Sequence, residues 1–314
     1  MSLSNLDLLN ECDGFPYYQV DPDLYAASIS TYFELRVQGH DYAIGYMLPS
    51  VVEIFRNTPN WTVDDESRIL TLAGGSNAEE RSAAVMRTFV AMKETKHFKV
   101  LDKWRNELYS VNGKNKELLF DVERCATPLL GVVTYGVHLT AFVRTGGKLK
   151  IWIPRRAKTK QTYGGMLDNA VAGGIASGEG PFESLVRECG EEASLQEDLV
   201  RERVKACGTV TYFYIRTKEA GGETGLLQPE CEYVYDLELP ADVIPKPGDD
   251  EVEEFYLWSV PEVREAMARG EFKPNCALIM LEFFIRHGVL TAENEKDYIE
   301  IVSRLHRRFE FPTL

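Results

Sequence analysis

Apolar residues recur at two periods along this chain, every second residue in some stretches and every third or fourth in others, and the two kinds of stretch interleave. Residues 49–55 start a short helix, and residues 77–97 carry a longer one with Ala83, Val85, Met86, Phe89 and Met92 as its apolar positions. Residues 104–111 and 117–122 read as strands. The Asn112-Gly113 turn signal between them predicts a hairpin. Residues 132–143 form an apolar strand whose His138 reads as a core histidine, with reach toward a site as the alternative. Residues 148–154 alternate as a two-faced strand, and 207–215 and 231–239 are strand-like on either side of a glycine-rich loop. A proline-rich turn at 244–248 precedes a strand ending at Trp258, and residues 263–269 and 275–286 carry apolar helical stripes. The fold class expected is α/β. A mixed sheet lies between helices over residues 130–314, and a smaller α+β domain precedes it over residues 1–129.

One further helical stretch carries chemistry. Glu188, Glu191 and Glu192 stand at i, i+3 and i+4, so their carboxylates share one arc, while Phe182, Leu185, Val186, Cys189 and Ala193 fall on another. Three clustered anions repel one another, and a hard divalent cation with a preference for oxygen ligands relieves that repulsion. A solvated acidic face is the plain alternative. The neighbours decide between them, because residues 173–195 match the spacing G-x5-E-x7-R-E-U-x-E-E-x-G-U, with U bulky and apolar. Gly173, Glu179, Arg187, Glu188, Glu191 and Glu192 fill the fixed positions, and Ser194 stands where the pattern has glycine. With each residue type at roughly 7% of positions, such a match arises by chance on the order of once in 10⁴ to 10⁵ chains of this size.

This stretch resembles the Nudix box, the signature of the Nudix hydrolases. The resemblance implies a Nudix α/β/α sandwich, Mg²⁺ (or Mn²⁺ in its place) held by Gly173, Glu188, Glu191 and Glu192, and water attack at a diphosphate. It leaves open which glutamate is the base. Glu251, just ahead of a late strand, is a further candidate for metal or water, with Glu254 behind it. Glu179 and Arg187 are expected to pair and fix the helix against its loop. Before the box, Arg155, Arg156 and Lys160 form a basic loop followed by Tyr163. These are the candidate substrate-binding residues, because Arg and Lys can donate to phosphate oxygens that a metal leaves free. Trp104, Tyr163 and Trp258 are candidates to stack on a ring.

Composition narrows the setting. The chain has 314 residues, 44% of them hydrophobic, with a net charge of −14 and six scattered cysteines. That charge argues against a nucleic-acid polymer as partner, and no apolar run is long enough for a membrane span. Residues 1–15 lack the marks of a secretory signal or transit peptide, and cysteines without a C-x-x-C pair suit a reducing cytoplasm. Oligomeric state leaves no trace in the sequence.

A narrower resemblance rests on residues 104–109, Glu123 and Arg124, 135–139, 152–156, 166–169 and 272–276 taken together. In these the chain resembles fungal and plant Nudix proteins labelled thiamine pyrophosphokinase-related, which carry an N-terminal domain of unknown function. That resemblance implies hydrolysis of thiamine diphosphate and its damaged oxothiamine and oxythiamine forms to the monophosphate and phosphate. With the Nudix domain filling the chain after Leu129, no kinase is expected within it. Alternatives are a Nudix hydrolase of oxidised nucleoside diphosphates such as 8-oxo-dGDP, or of nucleotide sugars. A diphosphate-binding module without catalysis is another. Isopentenyl diphosphate isomerase needs a cysteine after the basic loop, and residues 167–172 contain none.

Overall fold

The computed structural model describes residues 2–160 and 162–314. In the first half, helices α1 (Asn5–Cys12) and α2 (Pro22–Ile29) precede β1 (Phe33–Val37), β2 (Gly45–Met47), α3 (Pro49–Phe55), β3 (Trp61–Asp64), β4 (Ile69–Leu72) and α4 (Ala78–Glu94). The hairpin β5 (Leu108–Asn112) and β6 (Leu118–Glu123) then leads through α5 (Thr127–Leu130) into the second half. Strands run in the order β2-β1-β4-β3, with β1 and β4 parallel. Pro49 opens α3 in its first turn, where a missing N–H leaves nothing unpaired, and the Asn77 side chain caps α4 by accepting from Glu80 N at 2.9 Å. Phe33, Leu35, Phe55, Leu70 and Phe89 meet between these elements as a buried core.

The hairpin forms where the Asn-Gly signal predicts it, for a different reason. The left-handed residues are Asn115 and Lys116, at φ 60° and 62°. Gly113 is needed for space instead, since a Cβ there would come within 2.4 Å of the Tyr42 hydroxyl.

The second half contains β7 (Thr134–Thr145), β8 (Lys148–Arg156), β9 (Val171–Gly174), α6 (Pro181–Ala193), α7 (Glu197–Arg203), β10 (Lys205–Ile215), β11 (Leu227–Glu238), β12 (Val252–Ser259), α8 (Val260–Ala268), α9 (Pro274–Arg286) and α10 (Tyr298–Arg304). Its sheet runs β10-β11-β7-β8-β12, with β9 also on β7, and mixes one parallel pair, β11 with β7, among antiparallel ones. Strand β7 is buried on both faces. Val137, Leu139 and Ala141 pack against Leu185 and Cys189 of α6, while Phe142 meets Phe283 of α9. Helices thus cover both faces of a mixed sheet, the α/β/α sandwich.

The chain does not divide cleanly at residue 129. Helix α1 buries Leu8, Leu9 and Cys12 in the core that α9 builds, and Asp13 behind it pairs with buried Arg307 at 3.1 Å. An eight-residue amphipathic helix needs such a neighbour, because alone it is too short to persist. All six cysteines are free thiols, and no helix among the described residues is long and apolar enough to cross a membrane.

Candidate functional site

Helix α6 starts with Pro181 in its first turn and ends at Ser194, which takes the left-handed conformation (φ 52°, ψ 31°) that glycine adopts more easily. Leu185, Val186, Cys189 and Ala193 are buried against the sheet. The expected separation into an apolar and an acidic arc holds only in part. Phe182 is exposed beneath the Arg201 guanidinium, and Glu192 is buried, with 6% of its surface accessible. The loop before β12 covers that flank. Gly248 lies against the Glu191 carbonyl, which a Cβ there would approach to 2.2 Å.

Arg187 sits among the carboxylates. Its Nε and Nη2 donate to Glu179 at 2.9 and 3.0 Å, and Nη1 reaches Glu188 at 3.0 Å and Glu191 at 2.9 Å. The Glu188 carboxyl lies over Gly173, where a Cβ would fall 2.2 Å from Glu188 Cδ, so any side chain there would push that carboxyl aside. Glu192 accepts from Ala172 N at 2.9 Å and faces the Lys160 ammonium at 3.8 Å, and Lys160 also pairs with Glu251. Burial pushes the Glu192 carboxyl up, Glu188 and Asp168 push it further, and Lys160 only partly offsets them. Burial likewise drives Lys160 down and raises Glu188 against the pull of Arg187. Glu254 lies apart from this group, bonded by the Tyr256 hydroxyl.

The donors are all oxygens, which suits a hard divalent cation. Among the described residues, no three acidic, histidine or cysteine side chains converge as an ion requires, because Arg187 and Lys160 engage the carboxylate oxygens. The Lys160 ammonium between Glu192 and Glu251 shows that this spot accepts positive charge. The residues therefore fit Mg²⁺ once the Lys160 ammonium withdraws and the carboxylates turn from Arg187 Nη1.

The basic loop is built differently from its sequence expectation. Arg155 donates to the Tyr256 hydroxyl at 3.1 Å and the Gly165 carbonyl at 2.8 Å. Arg156 is buried, bonding Asp168 at 2.5 Å and the carbonyls of Tyr163 and Thr162. Arg156 fastens the loop to itself, and Arg155 ties it to β12. Neither lines the large cavity between the two halves of the chain, whereas Tyr163 does.

That cavity has a volume of about 240 Å³. On its floor the Tyr212 hydroxyl sits 2.5 Å from Glu230 and 2.8 Å from Glu232. Its single hydrogen cannot serve both carboxylates at once. His138 approaches Glu232 at 3.7 Å and bonds Asn169 at 2.7 Å, so it is a site-facing residue as well as a core one. Burial raises the Glu230 carboxyl, and neighbouring Glu232 adds to it, up to about 7. Burial acts on Glu232 too, but the His138 imidazole and the Tyr212 hydroxyl outweigh it and hold that carboxyl down. The sequence offers a faint signal for this pair. Two acids at i and i+2 share one face of β11, a face that also carries Gln228, Asp236 and Glu238 and so hides the pair among ordinary polar positions. Trp104 and Trp258 do not line the cavity; Trp104 meets Lys93, and Trp258 stacks on Tyr256 at 5.1 Å. Tyr109, Tyr163, Tyr212 and Tyr214 line it in their place.

Comparison with known proteins agrees with this geometry. Residues 25–134 match a domain of unknown function, DUF4743, and residues 134–276 match the NUDIX domain. The chain is 46% identical over 217 residues to the uncharacterized protein YJR142W of Saccharomyces cerevisiae, covering 67% of this chain and 63% of that protein. Nudix hydrolase 20, chloroplastic, of Arabidopsis thaliana is 38% identical over 206 residues, covering 65% of this chain and 53% of that protein. Nudix hydrolase 24, chloroplastic, of the same plant is 36% identical over 203 residues, covering 64% and 53%. The chain thus spans between 53% and 63% of the length of these curated relatives. Box, sandwich and family match coincide on one region, so residues 134–276 are a Nudix domain, set behind a DUF4743 domain.

Proposed function

We propose that this chain is a Mg²⁺-dependent Nudix hydrolase that cleaves thiamine diphosphate and its oxothiamine and oxythiamine forms to the monophosphate and phosphate. One observation carries the reading. Strand β9 has the box carboxylates Glu188 and Glu192 packed against it at Gly173 and Ala172, and its Gly173 and Gly174 also line the cavity. A diphosphate reaching from the cavity to β9 therefore meets the acidic group. Glu188 and Glu192, with the Gly173 carbonyl, hold the ion. Exposed Glu191 holds a second ion or orients water, and Glu251 stands ready beside Lys160. When bound, Mg²⁺ or Mn²⁺ neutralises phosphate oxygens and makes water a better nucleophile at phosphorus. The Glu179–Arg187 pair keeps the helix in register with its loop.

The ring assignment rests on the resemblance and is supported by the cavity floor. Two acidic side chains and several tyrosines suit the thiazolium cation of thiamine and oxythiamine diphosphates, and the tyrosines suit the neutral ring of the oxothiamine form. The partner in this reading is that small molecule, with no nucleic-acid polymer or membrane involved, and six free thiols accord with the cytoplasm. Phosphate release is to be compared across thiamine, oxothiamine and oxythiamine diphosphates, 8-oxo-dGDP and ADP-ribose. The expected result is the highest kcat/KM on the thiamine forms, abolished by EDTA and restored by Mg²⁺. Preference for 8-oxo-dGDP or ADP-ribose overturns the ring assignment, and no turnover of any of them overturns the hydrolase.

A further inference from the structure

The hairpin of the N-terminal domain grips the loop of the Nudix box. Ser177 N donates to the Leu108 carbonyl at 2.7 Å, and the Ser177 hydroxyl bonds Asp121 at 2.7 Å and Ser110 at 3.1 Å. The Tyr109 hydroxyl presses on Gly174 so closely that a Cβ there would fall 1.5 Å away. These contacts fix the segments that flank the hairpin. Arg124, just past β6, lies over the Tyr109 ring at 5.3 Å and is held by Glu107 through Nη1 at 3.0 Å. Arg124 and Arg105 both line the interdomain cavity, on the side where Gly173 and Gly174 also line it.

Charge completes the geometry. Arg124 and Glu188 are near enough that each favours the other's ionised form. Burial weakens the ionised form of Arg105, and Arg124 weakens it further. Lys103, another lining residue, is pushed down by burial, then by Arg216 and Arg105. Cations crowded on one wall of a partly desolvated cavity are stabilised by an oxyanion between them, and the planar guanidinium fork matches phosphate oxygens. Arg155 and Arg156 do not line this cavity, and they bond carbonyls, a tyrosine and Asp168 outside it. Glu230 and Glu232 line the same cavity, which therefore holds both guanidinium and carboxylate groups.

We propose that the DUF4743 domain forms the anion-binding wall of the substrate cavity, with Arg124 and Arg105 binding the phosphate end of a diphosphate substrate. This deepens the hydrolase reading and rests on it for the identity of the substrate. The DUF4743 domain is then half of the substrate site, and the two domains cannot be separated without losing phosphate binding.

The test titrates inorganic diphosphate into the full chain in EDTA by calorimetry, so that no metal contributes. Wild type binds, and Arg124→Ala and Arg105→Ala each weaken binding at least tenfold. Arg124→Lys, which keeps the charge and loses the fork, falls between. Arg56→Ala, on the far surface of the same domain, binds like wild type. Should Arg124→Ala fail to fold, Arg105→Ala and Arg124→Lys decide. Absence of wild-type binding, or equal affinity in the cavity variants, overturns the proposal. Turnover separates the two readings. Arginine-dependent binding without hydrolysis of any diphosphate sinks the hydrolase and keeps the wall. Hydrolysis with an unchanged KM in Arg124→Ala keeps the hydrolase and sinks the wall.

Discussion

Two acidic clusters lie on either side of strand β9, and they are balanced in different ways. At the box, Glu188, Glu191, Glu192 and Glu251 are met by Arg187 Nη1 and by Lys160, contacts that end when the carboxylates turn from the anchored guanidinium and the long Lys160 side chain withdraws. On the cavity floor, Glu230 and Glu232 are met by Tyr212, Asn275 and His138, set on strands β10 and β7 and at the start of α9, with the Lys273 ammonium acting on both from nearby. Negative charge with displaceable partners is suited to receiving a metal. Negative charge inside a fixed network is suited to reading a ligand's shape and charge. The difference lies in the balancing partners, since burial opposes ionisation in both clusters.

Glutamine substitutions break this comparison most sharply. Glu192→Gln retains the shape and the bond to Ala172 N, so folding persists, while kcat falls about 10²- to 10⁴-fold as several kcal/mol of charge stabilisation disappear. Its melting temperature holds or rises, because a buried carboxylate is gone. Glu232→Gln has the opposite profile. It leaves His138 buried beside a neutral amide, lowers stability by about 1–3 kcal/mol and acts mainly on KM. Steady-state kinetics and thermal melts on both variants check this, and interchanged profiles would mean that the floor does the chemistry.

A pH series sharpens the same comparison with a smaller effect. Glu230 titrates near 7 in the folded chain, well above its ordinary range. Below that pH it is neutral; above it, it adds one negative charge to a floor that also holds Glu232, His138 and Lys273. For a cationic ring, KM should fall about three- to tenfold between pH 6 and 8, and Glu230→Gln should flatten the profile. The linkage to stability runs the other way. The folded state keeps a proton that the unfolded chain releases, so this group lowers stability as pH rises from the ordinary carboxyl range through 7. A pH-independent KM in wild type would remove Glu230 from ligand recognition.

The two clusters were unequally legible in the sequence. The box is contiguous, its spacing is set by one helix, and the glycine at 173 answers a contact 15 residues away, so local rules suffice. Glu230, Arg105 and Arg124 come together only through the docking of hairpin β5–β6 on the box loop, and nothing local to any of them announces it. The basic run from Arg155 is visible in the sequence, but its direction is not. Pairing of β8 with β12 places Arg155 beside the Tyr256 hydroxyl and turns it to the protein's own carbonyls. The short helix α1 did leave a mark, the Ser4/Asp7 capping box, although its burial depends on α9 at the far end of the chain, Pro274–Arg286.

The smallest effect concerns Glu179, a carboxylate at the box that belongs to the frame. Two hydrogen bonds from Arg187 hold its carboxyl below the ordinary value. A lowered folded-state pKa gives stability that is fully present above the ordinary carboxyl range and is lost as pH falls through the folded value. Arg187 is about a third exposed, so solvent screens the pair and its contribution is about 0.5–1 kcal/mol, or a degree or two in melting temperature. Glu179→Gln should melt that much lower than wild type at pH 7, with the gap closing as pH falls below the ordinary carboxyl range, while kcat drops a few-fold as α6 loosens from its loop. A collapse in kcat as deep as that of Glu192→Gln would place Glu179 with the chemistry. Arg187 would then have no fixed anchor, and its contacts to Glu188 and Glu191 could no longer be read as the displaceable ones.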